Sequence, residues 1–255
     1  MLLVISFIFG AVVGSFLNVC IYRIPAGLSV SRPASHCPAC GSPVPFYHNI
    51  PIVSFLVLRG RCSACRERFS ARYPFIEALT GLFASALVYH FGLTAPAFVY
   101  FAFVSALVVI TFIDLDHRII PDRVSLPGIA AGFVASFFLP YPGVVSSAAG
   151  IAVGGGILLL VAAGYYLVSG TEGMGGGDVK LLAMVGAFLG WRGVVVTLLA
   201  GSLVGALVGV VIMLAFGKST KYAIPFGPFL AAGAIVYLFF GEEIITWYVR
   251  TAVGA

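Results

Sequence analysis

The sequence predicts an all-α polytopic membrane protein with about eight transmembrane helices and a cytoplasmic zinc-binding loop domain. Three observations lead there. Hydrophobic residues make up 61% of the 255 positions and charged residues only 9%, with a mean hydropathy of +1.11, values that belong to chains solvated by lipid. Apolar runs approaching the roughly 20 residues that cross a hydrocarbon core recur along the chain. They fall at 2–22, 74–91, 95–113, 124–139, 144–168, 179–191, 193–216 and 224–240. Four of the five cysteines lie in the long polar segment between the first two runs.

In chain order, residues 1–22 form the first transmembrane helix. No Lys or Arg precedes this run, and Asn18-Val19-Cys20 is not a small-residue cleavage site, so it reads as a retained span with its N-terminus outside. Residues 23–73 follow as a polar cytoplasmic loop, and 74–255 as the remaining membrane domain. The 179–216 stretch is divided at Trp191-Arg192-Gly193 into a short and a full-length piece. The runs are continuous and lack the period-two alternation of a β-barrel. Gly201, Gly205 and Gly209, and likewise Gly150 and Gly154, repeat every four residues, a spacing that lets helices approach closely.

Charge sets the orientation. Of 14 Lys and Arg, seven are arginines of the loop: Arg23, Arg32, Arg59, Arg61, Arg66, Arg68 and Arg72. With eight alternating spans, Arg118, Arg123, Lys180, Lys218 and Lys221 fall on the same side, and only Arg192 and Arg250 fall opposite. That asymmetry makes the loop cytoplasmic by the positive-inside rule. The net charge of +5 is therefore a topology marker whose partner is membrane lipid, and a nucleic-acid partner is not expected.

The cysteines stand as Cys37-Pro38-Ala39-Cys40 and Cys62-Ser63-Ala64-Cys65, two C-x-x-C turns 21 residues apart. Each tight turn offers two thiolates, and together they complete a tetrahedral zinc site. A loop this short has little core of its own, so metal binding would supply much of its folding energy. Two disulfides are the alternative, disfavoured on a reducing cytoplasmic side. Four thiolates leave no open position, so the zinc is structural. His36 and His48 are substitute ligands on paper, but read better as surface histidines, and Cys20 as packing in the first span.

Carboxylates next to hydrocarbon are costly, and each needs a reason. Asp114 abuts the third apolar run. Asp116, two residues on, points about 200° away on a helix and cannot share its face. Asp122 follows Pro121, where an acid suits a helix N-terminus. Asp178 closes Gly173-Met174-Gly175-Gly176-Gly177, and by itself could be a helix cap beside a hinge. Span counting, however, brings Asp114 and Asp178 to one cytoplasmic rim. Two carboxylates brought close share a proton, so one can activate a water while the other donates to a carbonyl. The adjoining glycines would let an extended peptide backbone approach the acid.

These features together resemble the type IV prepilin peptidases, bifunctional leader peptidases and N-methyltransferases. The likeness runs from Gly14-Ser15-Phe16-Leu17-Asn18-Val19 and Tyr22-Arg23-Ile24-Pro25 through both cysteine turns. It continues with Tyr47-His48-Asn49-Ile50-Pro51, Arg72-Tyr73-Pro74-Phe75-Ile76-Glu77, and Ile113-Asp114 with Ile120-Pro121-Asp122. It ends with Gly175-Gly176-Gly177-Asp178-Val179-Lys180-Leu181 and Ile224-Pro225-Phe226-Gly227-Pro228-Phe229. The resemblance implies that Asp114 and Asp178 are catalytic. It implies as substrates prepilin and pseudopilin precursors, cleaved after the glycine that ends a basic leader, in a bacterial inner membrane. It further implies N-methylation of the new terminus from S-adenosylmethionine, with donor-binding residues unassigned. The insert 23–73 supports that second activity, because smaller relatives that only cleave lack it. Gly14, Asn18 and Tyr22, with Ser15 beside them, put a polar stripe on the adjoining span, although an Asn in a span commonly just bonds a neighbouring helix.

Two other classes stand beside this reading. One is a metal-dependent membrane transferase in which Asp114, Asp116 and Asp122 hold Mg²⁺ for a lipid phosphate. The other is a transporter with glycine-broken segments, against which the acids lie at the rim and no inverted repeat is evident.

Overall fold

The computed structural model describes residues 1–171, 175–216 and 224–252. Gly173 and Met174 of the glycine motif, and Lys218 and Lys221 of the charge count, lie outside them. Among the described residues the chain is helical with no strand. It divides into two compact units, 1–109 and 110–255, with the helix Ala95–His117 running from one into the other.

The first unit is built on α1 (Leu2–Arg23) packed against α3 (Arg72–Phe91). Their apolar residues run all round each helix, so small residues choose the seam. A Cβ at Gly10 would lie 2.7 Å from the Thr80 carbonyl oxygen, and one at Gly14 would lie 2.8 Å from Glu77 Cα. Asn18, buried on this seam, donates to the Gly14 and Tyr73 carbonyls at 3.3 and 3.2 Å. Between the two helices lies the loop, which holds a 3₁₀ turn at Phe46–His48 and the five-residue α2 (Val53–Val57). Arg23, buried at the end of α1, ties the loop down by donating to the Ser29 and Pro33 carbonyls at 3.0 and 2.8 Å. Cys20 is buried, as a packing residue would be.

The second unit receives the end of α4 (Ala95–His117) and contains α5 (Asp122–Ala135), α6 (Val144–Ser169), α7 (Gly176–Phe216) and α8 (Gly227–Ala252). At its centre, residues 181–190 are all buried. Gly150 and Gly186 meet backbone to backbone across α6 and α7, and Ser147 Oγ donates to the Ala187 carbonyl at 2.8 Å. α7 breaks at Gly190, whose φ of +69° and extended ψ leave the helical region. Only glycine suits that backbone, and a Cβ there would run into Ser146. The break strands carbonyls of the preceding turn. Tyr141 answers one of them, bonding the Leu189 carbonyl at 3.1 Å and the Tyr237 hydroxyl at 2.6 Å.

Beyond Gly190 the chain doubles back. The arm 191–216 runs antiparallel to α8: a Cβ at Gly193 would meet Tyr237, Gly233 sits on Thr197, Gly201 and Gly205 on Phe229, and Gly209 near Ile224. The glycine repeat of the sequence thus forms a helix seam.

Six helices among the described residues are long and apolar enough to cross a membrane, not the eight expected. The first shortfall is 124–139. Its helix ends at Ala135 in tight turns, where Ser136 Oγ bonds the Phe133 carbonyl at 2.6 Å, and its 14 residues rise about 21 Å. The second difference is one of counting: Gly176–Ala215 is one 40-residue apolar stretch by length, but its backbone leaves the helical region at Gly190, so two helices meet there, as the expected division of 179–216 requires.

Candidate active site and metal centre

Asp114 lies one turn before the end of α4, with Ile110 and Ile113 fully buried before it. It is 5% exposed, and its Oδ2 accepts the Gly227 N–H at 3.0 Å. That N–H is the first of α8, so the carboxylate faces a helix N-terminus, where free N–H groups and the helix dipole offer positive potential. A Cβ on residue 227 would lie 2.7 Å from Asp114 Oδ2. Glycine is what lets the helix end come this close.

Asp178 is the third residue of α7, half-buried, its N–H on the Gly175 carbonyl at 3.2 Å. It stands close enough to Asp114 for the two charges to interact. Ile120 is the shared wedge: a Cβ at Gly177 would meet Ile120 Cβ at 2.8 Å, and one at Gly227 would meet Ile120 Cδ1 at 3.4 Å. Beside the acid, Gly176 has nothing within 4 Å of where a Cβ would stand among the described residues. The structure therefore brings Asp114 and Asp178 together and leaves open space along the glycines.

Asp116 is exposed, on the other side of α4 from Asp114. Asp122 pairs with Lys180 at 2.6 Å. That pair ties the start of α5 to the start of α7, so α5 and α6 travel away from the acids and return to them. Among the described residues the four cysteines are the group of side chains gathered tightly enough to hold a metal, and Asp114, Asp116 and Asp122 do not gather so. That removes the geometric basis of the Mg²⁺-transferase reading.

The residue that sequence reasoning missed is Gly227. Its segment is matched in the resemblance, and Pro225 and Pro228 beside an apolar run signal a helix start. Nothing local says that this start faces an acid 113 positions away.

In the cysteine centre, two similar turns face each other. Cys37 N–H bonds the Ser42 carbonyl at 2.9 Å and Cys62 N–H the Glu67 carbonyl at 2.8 Å. After each turn the chain takes a positive φ, +71° at Gly41 and +62° at Arg66. All four Sγ atoms lie within 4.8 Å of one another, and Cys37 and Cys65 are 3.8 Å apart. Zinc with bonds of about 2.3 Å sets tetrahedral sulfurs about 3.8 Å apart, so the geometry fits. No disulfide joins them. The thiols also compete for charge. Hydrogen bonds with the Ser42 side chain and backbone pull Cys40 down to about 6. At Cys65 the Glu67 backbone hydrogen bond lowers the value, but desolvation and the other thiols outweigh it and push the thiol up to about 12. A divalent cation resolves that competition by neutralising all four thiolates. His36 is exposed, as expected, whereas His48 is half-buried, with Nδ1 fully buried.

The fold and site thus define a class: a multi-pass, all-helical membrane protein with a buried acid, Asp114, beside the half-buried Asp178, and a four-cysteine loop. Residues 8–91 match the bacterial peptidase A24 N-terminal domain and residues 101–210 the type IV leader peptidase family. A Pseudomonas putida protein described as a prepilin leader peptidase/N-methyltransferase is 37% identical over 259 residues, covering 93% of this chain and 90% of its own. One from Legionella pneumophila, so described, is also 37% identical, covering 95% and 92%. Another from Myxococcus xanthus is 42% identical over 216 residues, 85% of this chain and 64% of its own. The chain belongs to the type IV leader peptidase family. No solved structure matches it.

Proposed function

We propose that the protein is a membrane-embedded aspartic endopeptidase that removes the basic leader of prepilins and pseudopilins after its terminal glycine, and then N-methylates the new terminus. The observation that carries the first activity is the buried Asp114, held on the Gly227 N–H within electrostatic reach of Asp178. Close carboxylates hold one proton between them. The ionised member draws a proton from water, which attacks the scissile carbonyl, and the protonated member donates to the carbonyl oxygen. The open side of Gly175-Gly176 accepts the extended leader backbone. The substrate's hydrophobic helix would lie in the bilayer and its leader outside it, which sets the scissile bond at the rim.

The loop 23–73 carries one structural Zn²⁺ on Cys37, Cys40, Cys62 and Cys65 and serves the methylation, while 74–255 carries the proteolysis. The methyl donor, S-adenosylmethionine, supplies an electrophilic methyl group. The chain sits in the bacterial inner membrane with its N-terminus outside and both the loop and the acids on the cytoplasmic side. The distribution of Lys and Arg supports that orientation.

The test is processing of a prepilin peptide by purified protein in detergent, followed by mass. Asp114→Asn and Asp178→Asn should each lower cleavage by about 10²–10⁴-fold, the scale of general acid–base catalysis, while Asp116→Asn keeps most activity. Equal loss at Asp114 and Asp116 with activity surviving at Asp178 would overturn the assignment.

A further inference from the structure

Of the seven exposed large apolar side chains in the loop 23–73, all but Leu28 fall within 46–57. In α2, Val53, Leu56 and Val57 recur at the i, i+3, i+4 spacing that sets them on one face. Leu56 is 68% and Val57 74% exposed, while Ser54 is buried and Phe55 lies against Gly60. Ser54 Oγ accepts the Ile50 N–H at 3.0 Å and donates to the Tyr47 carbonyl at 3.2 Å, which fixes the 3₁₀ turn beside α2. Phe46 of that turn is 86% exposed. A concentration of apolar surface like this marks a face that something covers.

Depth and charge together say what covers it. Glu77, in the second turn of α3, accepts the Ile52 N–H at 2.7 Å, so α2 begins level with the first turns of a spanning helix. Arg72 and Tyr73 open that helix, and such residues anchor a span where it leaves hydrocarbon. Between Arg23 and Arg72 the chain holds five arginines and one acid, Glu67. Arg59 and Arg61, both exposed, directly follow α2, and the Arg61 N–H bonds the Leu58 carbonyl at 3.1 Å. Across an antiparallel bridge Arg61 is paired with the exposed Arg68. Like charges opposed in this way repel, and an anionic surface offsets the repulsion.

We propose that Phe46 and the Val53, Leu56 and Val57 face of α2 dip into the membrane that α1 and α3 cross, among anionic phospholipid headgroups held by Arg59, Arg61 and Arg68. A short amphipathic segment with aromatic and aliphatic residues on one side and arginines beside them suits that interface. The docking is independent of both proposed reactions. It would hold the cysteine loop against the bilayer as a surface-bound element, fastened by lipid as well as by its two flanking helices.

The test uses the full-length chain in vesicles of phosphatidylethanolamine and phosphatidylglycerol, carrying Trp191→Phe, Trp247→Phe and, as the fluorescent reporter, Leu56→Trp. Lipid brominated near its headgroup should quench about half of the emission, and aqueous acrylamide little of it. Exchanging phosphatidylglycerol for phosphatidylcholine, or adding Arg59→Gln, Arg61→Gln and Arg68→Gln, should lower the lipid quenching about twofold. Salt at about 1 M, which shortens the Debye length from about 10 Å at 0.1 M to about 3 Å, should do the same. Emission quenched by acrylamide and not by lipid puts the face in water, and emission quenched by neither puts it under protein. Either result overturns the docking. Lipid quenching indifferent to both headgroup charge and salt overturns the anionic partner. Should the reporter chain fail to fold, wild-type protein in vesicles doped with a photoactivatable phosphatidylglycerol decides instead. Label on peptides within 46–57 supports the docking, and label confined to the spanning helices overturns it.

Discussion

Replacing Gly227 by Ala should impair the acid pair without unfolding the protein. Residue 227 has an ordinary backbone conformation, so the substitution introduces no φ strain. What it introduces is a methyl group 2.7 Å from Asp114 Oδ2, where ordinary contact begins near 3.4 Å. Carboxylate or helix end must retreat by about 0.7 Å, and the 3.0 Å hydrogen bond from the Gly227 N–H lengthens with it. A misplacement of about 1 Å at a reacting centre costs on the order of 10²-fold in rate, so a loss of about 10–10²-fold, or roughly 1.4–2.7 kcal/mol of barrier, is expected. The assay is kcat/KM on a prepilin peptide, with thermal unfolding in the same detergent as the folding control. Gly156→Ala is the matched control: it lies within α6 with nothing within 4 Å of its Cβ position and should leave cleavage unchanged. Wild-type kcat/KM in Gly227→Ala would refute the claim that this glycine positions Asp114.

Purified protein should carry about one zinc per chain by metal analysis, and Ser at Cys37, Cys40, Cys62 or Cys65 should lower it and loosen 23–73 to proteolysis, with cleavage reduced only indirectly. Protein free of zinc but bearing disulfides would contradict this. Arg66→Gly should relieve a left-handed backbone at φ +62° and slow zinc loss to a chelator, by about 1 kcal/mol of local stability. Gly186→Leu should disrupt the α6–α7 seam, where backbone already meets backbone, and lower the unfolding temperature far more than Gly156→Leu.

The acids and cysteines were legible in the sequence because each breaks a local rule. Asp114 interrupts an apolar run, Asp178 ends a glycine run, and two C-x-x-C pairs stand together in one polar segment. Helix identity was legible from apolar length, but helix ends were not. The apolar run 124–139 continues past Ala135, while Pro140 and Pro142 already force the chain into turns. The break in α7 falls at Gly190, one residue before Trp191-Arg192-Gly193, because the positive φ and the Ser146 contact demand the glycine. Gly227 was illegible for a different reason: its partner lies on another helix, and apolar periodicity carries no register between helices. His48 likewise looked like a surface residue, since only the fold of the loop around it buries Nδ1.

The shortness of α5 has a consequence for the lipid around it. At about 21 Å it falls well short of a hydrocarbon core of roughly 30 Å, and Leu126, Val134, Phe137 and Phe138 on and beyond it are exposed. A bilayer meets such hydrophobic mismatch by thinning locally. Headgroups and their water would then dip toward the start of α5, where Asp122 and Lys180 pair and the acids lie close by. The hydrolytic water would reach Asp114 and Asp178 through a dimple in the membrane surface, with no need of a channel through the protein.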